Sequence, residues 1–415
     1  MFSLGILMLL LSLVCLGTWP AFMRLCSCEK ELADIIHQSR RRSSRTTFLT
    51  SPQDRHPCHV YLDYSFSYVV ASSIPVMFQI MSENSNSSIF AKPLLILVAM
   101  IGGSLLSLAN ISMQWSTSVY NAPLTTVVAL QSSLCVVLGT SINYFLQPEK
   151  TSKPHLLFIG VGSFLIAIVS ASRAQILYQI QKRNALDRDE HVNTIVSDGV
   201  PLYQKNDEDS NHGSIELPNA SFRQHTHSSL NDSEDYMHSR NASSNQSHVQ
   251  LGLIVAFLGG ICIGFFTPSF NIAVNDPFQW YDDGLEVPYA NLWFAFAFTL
   301  CSVIGNLRLM KGTAFSTIPS TTWSNYISEP WSERRLAFSA GTICAFGNWL
   351  QFQGGFLAGF AAADMVQAFP LVSTLWDYFL FHEFRQTSCK VGCILSIMFA
   401  SYLLGISMLA LSISE

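Results

Sequence analysis

Long apolar runs alternate with short polar joints along the chain, and one long polar stretch divides it near the middle. A helix that crosses a bilayer needs about 20 consecutive apolar residues. Ten runs meet that length: Phe2–Arg24, Leu62–Met81, Pro93–Trp115, Leu124–Leu146, His155–Leu177, Leu251–Val274, Ala290–Met310, Leu336–Phe356, Ala361–Phe381 and Gly392–Ile413. The pattern therefore predicts an all-α integral membrane protein with ten transmembrane helices. Its weakest joints follow the third and the eighth run, where almost no polar linker intervenes. Between the fifth and sixth runs, residues 179–249 are rich in Ser, Asn, Asp and His and show no apolar period, which reads as a disordered loop. The division is thus residues 1–178, a first five-helix unit; 179–249, the loop; and 250–415, a second five-helix unit. The first run lacks a basic leader and reads as a retained helix, a cleaved signal peptide being the alternative.

Composition supports this reading. Of 415 residues, 49% are hydrophobic and only 12% charged, roughly half the charged share of a soluble domain. The net charge of -5 decides little, because almost all charges lie outside the apolar runs. Their placement decides more. On the ten-helix count, 20 of the 23 Lys and Arg fall on one side, in the joints that hold Arg40–Arg42, Lys182–Arg183, Arg334–Arg335 and Arg385. Lys92, Lys150 and Lys153 fall on the other, with the acidic loop from Asp276 to Glu286. The positive-inside rule makes the basic side cytoplasmic, so both termini face outward and the long loop inward. Glycosylation sequons stand on both sides, at Asn86 outside and at Asn219, Asn231, Asn241 and Asn245 inside; in a stretch this rich in Asn and Ser such matches arise by chance. The ten Cys form no paired framework and no zinc spacing, and the loop histidines match no metal motif. Neither a cofactor, a metal nor a nucleic-acid partner is expected; the lipid bilayer is.

Five helices per unit force the two units to enter the membrane from opposite sides, and shared features point to an inverted repeat. The first run contains GTWPAF (Gly17–Phe22) and the sixth GFFTPSF (Gly264–Phe270). Gly103 precedes Asn110 by the same interval at which Gly341 precedes Asn348, and Gln131 in the fourth run matches Gln367 in the ninth. The fourth run ends NYFL (Asn143–Leu146) and the ninth DYFL (Asp377–Leu380). Pro20 and Pro268 remove a backbone donor at equivalent points and make these two helices candidates for hinges. An acid inside an apolar run marks a functional site by default. Asp364 and Asp377, with the amides Asn348, Gln351, Gln353 and Gln367 beside a joint of small residues, mark a substrate pathway.

Several stretches carry a resemblance. CLGTWPAF (Cys15–Phe22), YLDYS (Tyr61–Ser65), SLANISMQW (Ser107–Trp115), VVLGTSINYFL (Val136–Leu146), FTPSFNIAVND (Phe266–Asp276) and AAADMVQAFPLVSTLW (Ala361–Trp376) resemble, in this order, the ureide permease family of plants. The resemblance implies a drug/metabolite transporter fold, ten helices in two inverted five-helix repeats. It also implies proton-coupled import, at the plasma membrane, of allantoin, related ureides, uracil and other oxo-heterocycles. Family members often carry a Walker-type phosphate loop; residues 179–249 contain none.

Such solutes are planar and uncharged, with alternating N–H and C=O groups, which amide side chains match as donor and acceptor. Asn110, Gln114, Asn348, Gln351, Gln353 and Gln367 are the candidate amides, and Trp19, Trp115 and Trp349 the candidate faces. Asn348 and Gln351 are three apart and share a helix face. The bland account of each amide is a hydrogen bond between helices. Proton coupling needs a carboxyl that is neutral in one state and charged in another; Asp364 is the first candidate and Asp63 the second, while Glu383 beside Arg385 reads as an interfacial ion pair. A small polar solute such as a sugar, or a non-transporting membrane sensor, are the alternatives. No nucleophile–base pair that would make the chain an enzyme lies within the runs.

Overall fold

The computed structural model describes residues 2–41, 55–82, 92–120, 122, 124–198, 231–312, 320–381, 384 and 387–413. Among them every regular element is helical: α1 (Phe2–Arg41), α2 (Pro57–Ser82), α3 (Pro93–Ser118), α4 (Leu124–Leu134), α5 (Thr140–Leu146), α6 (Pro154–Asp198), α7 (Asn231–Asn275), α8 (Val287–Met310), α9 (Trp323–Ser328), α10 (Trp331–Ala358), α11 (Phe360–Ala363), α12 (Phe369–Phe379) and α13 (Cys389–Ser412). A single isolated bridge pairs Thr151 with Ile413.

Eight helical stretches are long and apolar enough to cross a membrane, and they coincide with eight of the ten expected runs. The other two differ for physical reasons. The eighth run lies in a continuous helix, α10, but Arg334, Arg335, Asn348, Gln351 and Gln353 lower its hydropathy. The ninth is not one helix. Gly359 closes α10 with φ 100°, a left-handed value natural only to glycine. Four helical residues follow, then a 3-10 turn over Asp364–Ala368, then α12. Pro370 explains the turn: its ring would collide with the carbonyl of Val366 in an α-helix, and the preceding residues tighten instead. The fourth run is also broken, by a π-helical turn over Cys135–Gly139 between α4 and α5.

The polar segment holds more helix than its composition predicts. α6 runs on to Asp198 and α7 starts at Asn231. Extending an existing helix costs far less than nucleating one, so a membrane helix propagates into adjoining polar chain. Residues 199–230, and with them the sequon at Asn219, lie outside the described residues, as do Asn86, Glu383 and Arg385.

Inside a bilayer, packing and close backbone approach hold helices together. α1 packs on α10 and α3 on α7; α3 packs on α8 and α10 on α2; α2 meets α8 and α6 meets α13. Exchanging α1 with α7, α2 with α8, α3 with α10 and α6 with α13 maps these pairings onto one another. Glycines set the closest approaches. A Cβ on Gly103 would lie 2.0 Å from the Phe294 carbonyl oxygen, and one on Gly341 2.2 Å from that of Tyr64. Hydrogen bonds lock the same interfaces: Ser107 Oγ to Ser302 Oγ at 2.9 Å, and Ser12 Oγ to the Gly347 carbonyl at 2.7 Å.

Candidate functional site

A cavity of about 350 Å³ lies among α1, α2, α3, α4, α6, α7, α10, α12 and α13. That is the lower range for a small-molecule site. Its inner wall is buried: Tyr64, Asn348, Gln351 and Gln367. Its other end is formed by half-buried Pro20, Gln175 and Asp377, near the ends of the apolar runs that adjoin the basic joints. Beyond the inner wall the helices close on an aromatic plug. The Phe270 and Phe352 rings stack with centroids 3.6 Å apart, and Phe294 stands edge-on to Phe352 at 5.1 Å.

Amides line the cavity from both halves of the chain. Asn110 comes from α3 and Asn348 from α10; Gln131 comes from α4 and Gln367 from the 3-10 turn. Asn348 Nδ2 donates to the Tyr68 hydroxyl at 2.9 Å, and Gln131 Nε2 to Ser112 Oγ at 2.9 Å. Gln351 is different. It is 1% exposed, and neither amide atom has a hydrogen-bond partner among the described residues. A buried amide left so costs about 1–3 kcal/mol per unmade bond. Trp19 and Tyr64, with centroids 5.2 Å apart, supply apolar faces on the same wall.

Of the residues expected from the sequence, Asn110, Asn348, Gln351, Gln367 and Trp19 line this cavity; Gln114, Gln353, Trp115 and Trp349 do not. Helical geometry accounts for the misses. Gln353 is two residues from Gln351 and faces another way. Trp349 is one residue past Asn348 and turns outward to a second, apolar cleft with Ile74, Pro75 and Phe78. Trp115 packs beside Phe66 and Tyr120 at the far end of α3. Gln114 stands one turn beyond Asn110, its Oε1 buried without a partner among the described residues. Asp377, read from the sequence as marking the pathway, lines the cavity as well; Gln131 lines it without having been singled out as a site residue, and its match to Gln367 was the signal available.

The two candidate acids have different surroundings. Asp63, fully buried near the start of α2, pairs with the guanidinium groups of Arg55 and Arg334. The Tyr326 hydroxyl donates to it at 2.7 Å. Arg55 also pairs with Glu329 at 2.7 Å, and Glu329 with His59. Burial first, and the Asp63 carboxylate next, push the Tyr326 phenol above its ordinary value, so it remains a donor. This constellation clasps α2 to α9 and α10. A carboxylate paired with two guanidinium groups and a phenol ties together the segments that carry them.

Asp364 lies behind the cavity wall, fully buried in the 3-10 turn, three residues before Gln367. No ion pair holds it among the described residues. Its Oδ1 accepts from Thr267 Oγ1 at 3.4 Å, and its Oδ2 is without a hydrogen-bond partner among those residues. A Cβ on Gly139, in the π-helical turn, would lie 3.2 Å from that Oδ2. The irregular turns of the two broken helices thus meet at this acid.

Apolar helices that enclose an amide-lined cavity, with a buried acid where two broken helices meet, define a multi-pass membrane protein built to carry a small solute. A family model described as ureide permease matches residues 60–412, and the chain belongs to that family. It is 31% identical to Ureide permease 1 and 31% identical to Ureide permease 2, both of Arabidopsis thaliana. The first alignment covers 97% of this chain and 95% of the relative, the second 97% and 96%. It is 29% identical to Probable ureide permease A3 of Vigna unguiculata, over 92% of this chain and 95% of the relative. These relatives are named as permeases, that is, as transporters and not as enzymes.

Proposed function

We propose that the protein is a secondary active transporter that imports ureides such as allantoin, and oxo-heterocycles such as uracil, together with a proton. The observation that carries this reading is Gln351: a fully buried amide on the cavity wall with donor and acceptor both unpartnered, flanked by Asn348 and Gln367 and faced by Trp19 and Tyr64. A planar solute with alternating N–H and C=O groups satisfies such an amide at both ends while its ring lies against aromatic faces. The names of the relatives favour ureides within that class.

The packing supports alternating access. In this reading α10 and the α11–α12 segment also cross the membrane, giving ten spans in two inverted five-helix repeats. The paired interfaces, α1 on α10 with α3 on α7, and α3 on α8 with α10 on α2, support it. The amides that line the cavity come as the same pairs, Asn110 with Asn348 and Gln131 with Gln367. Two such halves exchange shapes around a fixed site. The cavity reaches the basic, cytoplasmic end, and the Phe270–Phe352 plug closes the other, which corresponds to an inward-facing state. Asp364 couples the proton: it is buried, unpaired by any cation among the described residues, and adjoins both the wall residue Gln367 and the helix breaks. Asp63 holds α2 to α10 through its ion pairs. The termini and the acidic Asp276–Glu286 loop face outward, and the protein acts at the plasma membrane.

The test is uptake of labelled allantoin and uracil in yeast lacking its own permeases for them, at acid and neutral external pH, with and without a protonophore. Uptake should rise at acid pH and collapse with the protonophore. Asp364→Asn, at equal surface level, should lose this pH dependence. A surface-expressed wild type that carries neither solute would refute the substrate assignment.

A further inference from the structure

Asp364 has a second polar environment, on the side away from the cavity. Thr267, Asn271 and Asn275 stand four residues apart on α7, one above the other on a single face. Asn143 of α5 joins them. Its Nδ2 donates to Thr267 Oγ1 at 3.2 Å, and its Oδ1 accepts from Asn271 Nδ2 at 3.1 Å. Asn275 Nδ2 in turn donates to Asn271 Oδ1 at 2.8 Å. Thr267 donates to Asp364, so hydrogen bonds run without a break from the buried carboxyl to the last residue of α7. Asp364, Thr267, Asn143 and Asn271 are each 0% exposed, and Asn275 is half-buried at the edge of the acidic loop. None of the five lines the cavity. The row rises about 12 Å at the helical pitch.

We propose that this row is the outer access route of the coupling proton to Asp364, separate from the path of the solute. The inference rests on the proton-coupled reading above and names how the proton arrives. Four observations carry it. The row is continuous. It starts at a buried acid with one oxygen, Oδ2, unpartnered among the described residues, beside a Thr140 hydroxyl in the same condition. It ends at the loop that carries Asp276, Asp282 and Asp283, whose charge attracts cations. It also crosses the interface between α5 and α7. In this route the proton is carried by water that enters between these amides and hydroxyls, since an amide by itself does not relay a proton. The titratable side chain that acts on Asp364 from the neighbouring turn is Cys135. From the other elements packed round it the polar neighbours are Thr140, Asn143 and Thr267, and no charged side chain among the described residues acts on it. The row therefore carries access rather than a second charge.

The ordinary alternative is that these amides only glue α5 to α7, and the two accounts separate by mode of transport. A carrier that cannot exchange its proton with the outside still swaps labelled for unlabelled solute, but does not accumulate it against a pH gradient. The full chain in liposomes is assayed in both modes with labelled allantoin, for wild type, Asn271→Leu and Asn271→Thr. Asn271→Leu should lose gradient-driven accumulation by roughly tenfold or more while keeping counterflow within about twofold, and Asn271→Thr should recover much of the accumulation. Equal accumulation in Asn271→Leu and wild type overturns the route. Loss of both modes at equal folded yield also overturns it and leaves the amide structural. A wild type that counterflows allantoin but ignores the pH gradient overturns proton coupling and the route together. If allantoin and uracil are not carried at all, the solute assignment fails by itself. The route is then decided by infrared spectroscopy after an outer pH jump, following the carboxyl band that Asp364→Asn removes. That band should shift at least about tenfold more slowly in Asn271→Leu, and equal rates overturn the proposal.

Discussion

Alanine in place of Gly341 or Gly103 adds one methyl group where a neighbouring helix backbone already stands. At Gly341 the new Cβ would lie 2.0 Å from Ser67 Oγ and 2.2 Å from the Tyr64 carbonyl oxygen. At Gly103 it would lie 2.0 Å from the Phe294 carbonyl oxygen and 2.8 Å from its carbon. A carbon and an oxygen pack no closer than about 3.3 Å, so α10 must move from α2, or α3 from α8, by roughly 1 Å. Backbone atoms cannot rotate away as a side chain can. Over-packing of this kind costs about 1–3 kcal/mol or more. At roughly 2 °C per kcal/mol for a chain of this length the apparent Tm falls by about 2–6 °C. Alanine also gains about 1 kcal/mol of helix propensity over glycine, so controls are needed. Gly162 and Gly392 supply them, because a Cβ there meets nothing within 4 Å. The assay is thermal unfolding of the detergent-purified protein followed by size-exclusion. Gly103→Ala and Gly341→Ala should both fall, and by similar amounts, since the two glycines occupy matching places in the paired interfaces; Gly162→Ala and Gly392→Ala should hold or rise. Equal stability in all four would refute the close-approach reasoning, and a fall at Gly341 alone would refute the matching of the two interfaces.

The amides make a sharper functional prediction. Gln351→Leu removes a donor and acceptor that no described residue uses, so stability should hold or rise while the KM for allantoin increases by roughly 5- to 100-fold, the equivalent of about 1–3 kcal/mol. Gln353→Leu, off the cavity wall, should leave KM within about twofold; uptake kinetics decide both. Asp63→Asn takes the partner from two guanidinium groups. Breaking a buried pair of this kind costs about 3–5 kcal/mol, so folded yield and Tm should drop while the pH profile of any remaining uptake keeps its shape. Asp364→Asn should do the reverse, flattening the pH profile at near-normal Tm. Tyr326→Phe loses one hydrogen bond to a carboxylate, worth about 1.5–3 kcal/mol, and should lower Tm less than Asp63→Asn.

How far each feature could be read depends on the range of the interaction behind it. Hydropathy is a local sum over about 20 residues, so the sequence alone located the apolar runs, the central polar stretch and the basic asymmetry of the joints. Eight of those runs are helices apolar enough to span a membrane. The ninth run looked continuous because hydropathy does not register backbone conformation, although Pro370 stands within it and Gly359 just before it. Repeat matching, again a comparison of local strings, singled out Asn110, Asn348 and Gln367, and all three line the cavity. Helix rotation and packing decided the rest. Gln351 and Gln353 differ by two residues and look equivalent as letters, yet a 3.6-residue period sends them to different faces. Asp63 and Asp364 are both acids beside apolar runs. Only the fold brings Arg55 and Arg334 to the first, from 8 and 271 residues away, and surrounds the second with the uncharged side chains of Thr267, Thr140 and Asn143. The row from Asp364 to Asn275 joins α5, α7 and the 3-10 turn across separations of 97 to 221 residues, as from Thr267 to Asp364 and from Asn143 to Asp364. No pattern in the chain announces such a contact, because hydrogen bonds between distant segments exist only once packing has set their distance.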